Sequence, residues 1–214
     1  MNEPGRRSTG TPAPLRVLFV CTANIARSPY AERRARQALE GLNVTVASAG
    51  IPGYPGRPMD EEMARLLQER GGDPTGHVSR EVTDEVLARA DLVLPFEFAQ
   101  HMKLLDAHPD HAAKVIGFGH LATAARRLVD AGEALPPVGE VDELAHFVRQ
   151  HAGPDSMSYD IDDPYRRGAK VATTCANQID QRLDLVLPWL VGEELPKLAA
   201  SEVDAPKRRW RWPW

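Results

Sequence analysis

Cysteine is nearly absent. Only Cys21 and Cys175 occur in 214 residues, 154 positions apart, which is too few for a disulfide scaffold and points to a reducing, cytoplasmic setting. Long apolar runs are missing as well. The run before Cys21 (Val17-Leu18-Phe19-Val20) is strand-sized against the roughly 18 residues of a membrane span, and no signal-peptide pattern precedes it. A basic excess is lacking too: 26 Lys and Arg face 30 Asp and Glu, a net charge of −4, and residues 1–206 hold 22 cations against 30 acids. A body at −8 excludes the cationic face that nucleic acid requires. No His/Cys cluster has metal-ligand spacing, so no metal and no cofactor are expected. What remains, 43% hydrophobic and 26% charged, suits one globular domain with a sizeable core.

Residues 1–14 carry Gly, Pro, Ser and Thr without apolar periodicity and are expected to be a disordered leader. The domain proper then spans residues 15–195. Short β-rich runs at 15–20, 44–47, 92–94 and 115–118 read as strands. Helical spacing falls at 28–39, 60–70, 96–105, 120–131, 140–151 and 169–190, the last with a potential break at Pro188. Ser28 offers an N-cap, with Pro29 at the first helical position. Alternating strands and helices predict an α/β fold: a three-layer α/β/α architecture with a central, mainly parallel four-stranded sheet. Residues 119–157 read as a helical insertion, which either caps a cleft or extends the core. Residues 196–214 form a basic, Trp-rich tail. Its last eight residues hold four cations, no acid and three of the chain's four tryptophans. Alternating cations and indoles suit an anionic membrane surface or an acidic partner; the competing reading is an end without function.

The first strand is followed by Cys21-Thr22-Ala23-Asn24-Ile25-Ala26-Arg27-Ser28-Pro29. A loop from a buried strand to a helix N-terminus is an anion site, because unpaired N–H groups converge there and the helix dipole adds positive charge. The six-residue step from cysteine to arginine lets the backbone wrap a phosphate-sized anion, with thiol below and guanidinium above. Arginine takes two phosphate oxygens at once, the loop favours the thiolate nucleophile, and Ser28 can donate a hydrogen bond to the sulfur. Taken alone, a cysteine after a buried strand is an inert small hydrophobe. Asn24, which tolerates left-handed backbone, weighs toward the loop reading. An acid for the leaving group is available in Asp160-Ile161-Asp162-Asp163-Pro164-Tyr165, where a solvated acidic turn is the plainer alternative.

These residues resemble the signature loop of low-molecular-weight protein-tyrosine phosphatases. Ser48-Ala49-Gly50, His77-Val78-Ser79-Arg80 with Ala90-Asp91-Leu92-Val93-Leu94, and Asp163-Pro164-Tyr165 resemble further segments of that family, in order. The resemblance covers roughly residues 15–118 and 158–192. It implies hydrolysis of protein phosphotyrosine through a phosphocysteine intermediate. Cys21 would be the nucleophile, Arg27 the phosphate clamp and Asp163 the general acid and base, with Asp162 the competing acid. Thr22, Ala23, Asn24, Ile25, Ala26 and Ser28 would form the phosphate loop, His77 would buttress Asn24, and Tyr54 and Tyr165 would wall the substrate cleft. Two positions depart from the pattern. Ala23 replaces a glycine, and Ala26 replaces a cysteine found in many members, which would leave oxidised Cys21 without a partner inside the loop.

Three other activities fit parts of this pattern. Arsenate reductases of this scaffold need relay cysteines, and only Cys175 is available. Phosphoarginine phosphatases resemble the family but place threonine where this chain has Ile25, whose apolar side chain suits an aromatic ring. A non-catalytic phosphate-sensing or docking module would explain Ala23 and Ala26 but not the joint retention of Cys21, Arg27, Ser28 and Asp163.

Overall fold

The computed structural model describes residues 13–133, 141–192 and Leu198. Most of the expected leader, the link at residues 134–140 and nearly all of the tail lie outside the described residues.

Among the described residues three parallel strands form the sheet, in the order β2-β1-β3. They are β1 (Leu15–Cys21), β2 (Val44–Gly50) and β3 (Leu92–Pro95). The central strand β1 pairs along its whole length with β2, from Leu15 opposite Val44 to Cys21 opposite Gly50. On its other side Val17 to Val20 pair with Leu92 to Pro95. From Val17 to Cys21 this central parallel strand is buried on both faces, which is why that stretch is continuously apolar rather than alternating. The strand period of two sends Val17, Phe19 and Cys21 into one core and Leu18 and Val20 into the other.

The helices supply the outer layers: α1 (Arg27–Ala38), α2 (Glu61–Glu69), α3 (Asp84–Ala88), α4 (Phe98–Ala107), α5 (Phe118–Ala131), α6 (Val141–Ala152) and α7 (Ala169–Val191). The larger core joins β1 to residues of α1, α2, α5, α6 and α7, around the rings of Phe19, Phe96 and Phe118. Leu87 of α3 and Leu104 of α4 cover the opposite face. Leu144, Ala145, Val148 and Ala152 of α6 enter the larger core, so α5 and α6 extend it. No helix among the described residues is long and apolar enough to cross a membrane.

Three local expectations are corrected. The fourth strand is reduced to a single parallel bridge between Val115 and Val93. A 3-10 turn occupies Pro109–Lys114 and α5 starts at Phe118, leaving only Val115, Ile116 and Gly117 in which to pair. Ser28 is not the N-cap: α1 begins at Arg27 with Ala26 as cap, which places Ser28 and Pro29 second and third in the helix. Proline is tolerated there because the first four N–H groups have no intrahelical partner. Nor does Pro188 break α7, which continues to Val191. It sits in the last turn, where one ladder bond is lost while Trp189 and Leu190 stay buried.

A buried charge cluster pins α7 to α1 and α2. Asp180, fully buried, accepts from Tyr30 Oη at 3.1 Å, Arg34 Nε at 3.2 Å and Arg70 Nη1 at 2.6 Å. Replacing the carboxylate leaves two buried cations uncompensated, so Asp180→Asn is expected to lose about 3–5 kcal/mol of stability in urea unfolding. A loss below about 1 kcal/mol would show that the cluster is as weak as a surface ion pair.

Candidate active site

The connection from β1 to α1, residues 22–26, lies at the carboxyl end of the central strand, where ligands settle in open α/β sheets. The carbonyls of residues 21, 22, 24 and 25 face outward, each met by a donor. Ile51 N–H reaches the Cys21 carbonyl, Gly53 N–H that of Thr22 and Asp60 N–H that of Ile25, all at 2.9 Å. His77 Nε2 donates to the Asn24 carbonyl at 2.8 Å. In a trans peptide the next N–H points opposite to the carbonyl. Outward carbonyls at 21, 22, 24 and 25 therefore turn the N–H groups of Thr22, Ala23, Ile25 and Ala26 toward the hollow of the loop. Among the described residues these four find no backbone acceptor. Asn24 makes the reversal at φ 57°. Ala23 is not among the residues with positive φ, so alanine carries no backbone penalty in place of glycine. Gly50, by contrast, is required: a β-carbon there would lie 2.9 Å from Ala23 C and from Asn24 N.

Side chains fix the loop from beneath. Ser48 Oγ donates to Glu32 Oε2 at 2.6 Å and accepts from Asn24 Nδ2 at 2.8 Å. Asn24 Nδ2 also donates to Ser28 Oγ at 3.0 Å, while its Oδ1 accepts from Arg80 N–H at 2.9 Å. Ser28 Oγ thus accepts from Asn24 and keeps its own proton for Cys21 Sγ at 3.0 Å or the Ala49 carbonyl at 3.3 Å. Burial pushes His77 below its usual pKa, against the opposing pull of its bond to the Asn24 carbonyl and of Glu32. The ring is therefore a neutral Nε2–H donor at neutral pH.

Arg27 is 1% exposed. Burial works against its charge, but Cys21, Asp163 and Glu97 together outweigh it and raise its pKa. Nη1 is taken by Glu97 and by the Ile161 carbonyl at 2.7 Å. Nη2 reaches Asp163 Oδ2 at 3.2 Å, and Nε is buried without a partner. The Nε–Nη2 edge is consequently the one open to an anion.

Geometry separates the three candidate acids. Asp163 faces Arg27 and remains 44% exposed. Asp162 is 80% exposed and lies 3.7 Å from Arg167. Asp160 caps Phe98 N–H at 2.7 Å, and burial raises its pKa. Tyr165 shares a cleft of about 480 Å3 with Ile25, Arg57, Met59, Pro164 and Arg166. Tyr54 does not line that cleft; the residue is 56% exposed and its carbonyl accepts from Ser79 Oγ at 2.6 Å. Larger clefts, of about 610 and 500 Å3, flank the amino-terminal half of β2 and are lined by no cysteine. Cys175 is buried on α7, and burial pushes its thiol up to about 12.

Glu97, Gln100 and Glu32 belong to the site and were missed in the sequence. A carboxylate just past the end of the strand neighbouring β1 was the available signal for Glu97; Glu32 and Gln100 carried none.

Comparisons with known proteins agree on one family. Residues 16–132 match the family model described as low molecular weight phosphotyrosine protein phosphatase. The low molecular weight protein-tyrosine-phosphatase Etp of Escherichia coli is 36% identical over 103 residues, covering 48% of this chain and 68% of that protein. The crystal structure of the low molecular weight protein tyrosine phosphatase from T. tengcongensis superposes with a TM-score of 0.63 at 27% identity, covering 82% of this chain and 99% of that one. YwlE arginine phosphatase from Geobacillus stearothermophilus shares the fold at 22% identity, with a TM-score of 0.60 over 81% of this chain and 90% of that one.

The close approach at Gly50 yields a test. Gly50→Ala is expected to weaken binding of inorganic phosphate about tenfold or more, since strain of 1–3 kcal/mol falls on the loop backbone. Far-UV circular dichroism should be unchanged. Phosphate affinity equal to wild type would show that the loop yields at this contact without cost.

With Cys21, Arg27 and Asp163 brought to one loop, and with the family model spanning more than half of the sequence, the chain belongs to the low molecular weight phosphotyrosine protein phosphatase family.

Proposed function

We propose that this chain hydrolyses protein phosphotyrosine through a phosphocysteine intermediate, with Cys21, Arg27 and Asp163 as the catalytic residues. The observation that carries this reading is the meeting at one point of Cys21 Sγ, inward N–H groups, the open edge of Arg27 and the carboxylate of Asp163.

The thiolate of Cys21 attacks phosphorus, forming an S–P bond as the P–O bond to the phenol breaks. Asp163 gives its proton to the departing phenolic oxygen. Water then attacks the phosphocysteine while Asp163 takes a proton from it, and the P–S bond breaks to release phosphate and the thiolate. Ser28 donates to that leaving sulfur. The loop N–H groups and Arg27 stabilise the equatorial oxygens in both steps. Thr22, Ala23, Asn24, Ile25 and Ala26 shape the cradle, and His77 holds Asn24.

Substrate choice follows from the cleft. Ile25 and Tyr165 line it together and suit an aromatic ring better than a guanidinium, which favours phosphotyrosine over phosphoarginine. A disulfide relay of the arsenate reductase kind is disfavoured, because Cys175, at about 12, stays protonated near neutral pH. A reducing, cytoplasmic compartment suits a thiol nucleophile.

The test is hydrolysis of p-nitrophenyl phosphate in the presence of a chelator. Cys21→Ser should abolish turnover, Asp163→Ala should lower kcat by about 10²–10⁴-fold, and Asp162→Ala should leave it near wild type. Phosphotyrosine peptides should be preferred to phosphoarginine peptides. Full activity in Asp163→Ala would transfer the acid role elsewhere, and inactivity of the folded, reduced wild type would favour a phosphate-binding module.

The tail, residues 207–214, lies outside the described residues; its four cations and three tryptophans support binding to an anionic membrane surface. Deleting it should leave p-nitrophenyl phosphate turnover unchanged and abolish co-sedimentation with phosphatidylserine vesicles. Equal sedimentation of both forms would remove the idea, and binding to an acidic protein alone would replace it.

A further inference from the structure

Arg27 is held from behind by residues that the mechanism above does not use. Nη1 donates to Glu97 Oε1 and to the Ile161 carbonyl. Glu97 is itself held, because its second oxygen, Oε2, accepts from Gln100 Nε2 at 2.8 Å. Gln100 is 2% exposed and its amide can sit only one way round. Oε1 accepts from the backbone N–H groups of Phe96 at 3.0 Å and of Glu97 at 3.1 Å. Nε2 spends its two protons on Glu97 and on Thr22 Oγ1, the latter at 3.1 Å. Thr22 Oγ1 also lies 3.5 Å from Arg27 Nη2. The four side chains close a ring: Arg27, Glu97, Gln100, Thr22 and back to Arg27.

We propose that Glu97 and Gln100 are positioning residues that hold the guanidinium of Arg27 with its Nε–Nη2 edge toward the phosphoryl group; this rests on the phosphatase reading above. A guanidinium is a planar fork whose bidentate contact has meaning only when the plane is fixed. Arg27 Nε, buried and without a partner, is the vacant half of that fork. Were Nη1 anchored by the Ile161 carbonyl alone, the plane could swing about that single bond and the vacant edge would lose its aim. The second anchor, Glu97, comes from the junction of β3 and α4, and Gln100 bolts it to the same backbone. The ring also commits Thr22: with Gln100 Nε2 and Arg27 Nη2 on its lone pairs, its own hydroxyl proton is free for an oxygen bound in the loop.

This alignment matters most when equatorial oxygens spread in the five-coordinate transition state, so its loss should fall on kcat rather than on KM. Glu97→Gln keeps the shape but sets an amide NH2 against either Arg27 Nη1 or Gln100 Nε2. A misplacement of about 1 Å costs on the order of 10²-fold. Glu97→Gln and Gln100→Met are therefore expected to lower kcat for p-nitrophenyl phosphate by about 10–100-fold with KM within about threefold. Affinity for vanadate, a five-coordinate mimic, should fall in parallel, while affinity for inorganic phosphate changes far less. Glu97→Asp, which keeps the carboxylate, should recover part of the loss. In an Arg27→Lys background, Glu97→Gln should add nothing further. The proposal is overturned if kcat and vanadate affinity stay at wild-type values, whatever the melting temperature does, or if the loss is equally large in the Arg27→Lys background. Should Glu97→Gln not fold, Glu97→Asp and Gln100→Met decide on the same readouts. A wild type that binds vanadate without turning over substrate would defeat the phosphatase reading, and the vanadate comparison would still judge the pair.

Discussion

A peptide unit cannot aim its carbonyl and its N–H the same way, and the site depends on that constraint. To turn N–H groups inward, a loop must turn carbonyls outward, and each outward carbonyl needs a donor or it is stranded. The surrounding chain supplies them from Ile51, Gly53, Asp60 and His77. These donors come from the segments that follow β2 and precede α2 and α3, so those loops are shaped by the anion site they enclose. Gly50 has to be without a side chain for the same reason: the loop rests directly on it.

Much of this was legible in the sequence where the governing interactions are local. Residues 15–38 pass from a continuous apolar run to a turn-prone loop and a helix, and the structure follows that order. Ser28 shows the limit of local reasoning: its capping propensity is genuine, yet a tertiary bond to Cys21 and Asn24 claims the hydroxyl and the helix starts two residues earlier. The fourth strand failed because its last residue, Phe118, begins α5 and is needed among the rings of Phe19 and Phe96, which leaves Val115 a single bridge to Val93.

The acid could be narrowed to a run but not to a residue from composition. Asp160, Asp162 and Asp163 differ only in where the backbone aims them, and that backbone includes Arg166 at φ 58°, which no pattern announces. Glu97 and Gln100 were invisible for a related reason. Their partners, Arg27 and Thr22, stand 70 and 78 positions away in sequence, and only the pairing of β1 with β3 brings the two segments together.

The excursion that carries α5 and α6 leaves and returns at one spot. Phe118 packs its ring 5.3 Å from that of Phe96, and Ile161 N–H bonds the Phe96 carbonyl at 3.1 Å. Between those two anchors the chain is a closed detour whose ends are fixed by the core rather than by its own length. Lengthening such a detour changes the closure entropy only logarithmically, so helices there can be gained, lost or exchanged without moving Ile161, whose carbonyl grips Arg27. The phosphate loop sits at the neck of this detour, so a change in the length of the detour need not reach it.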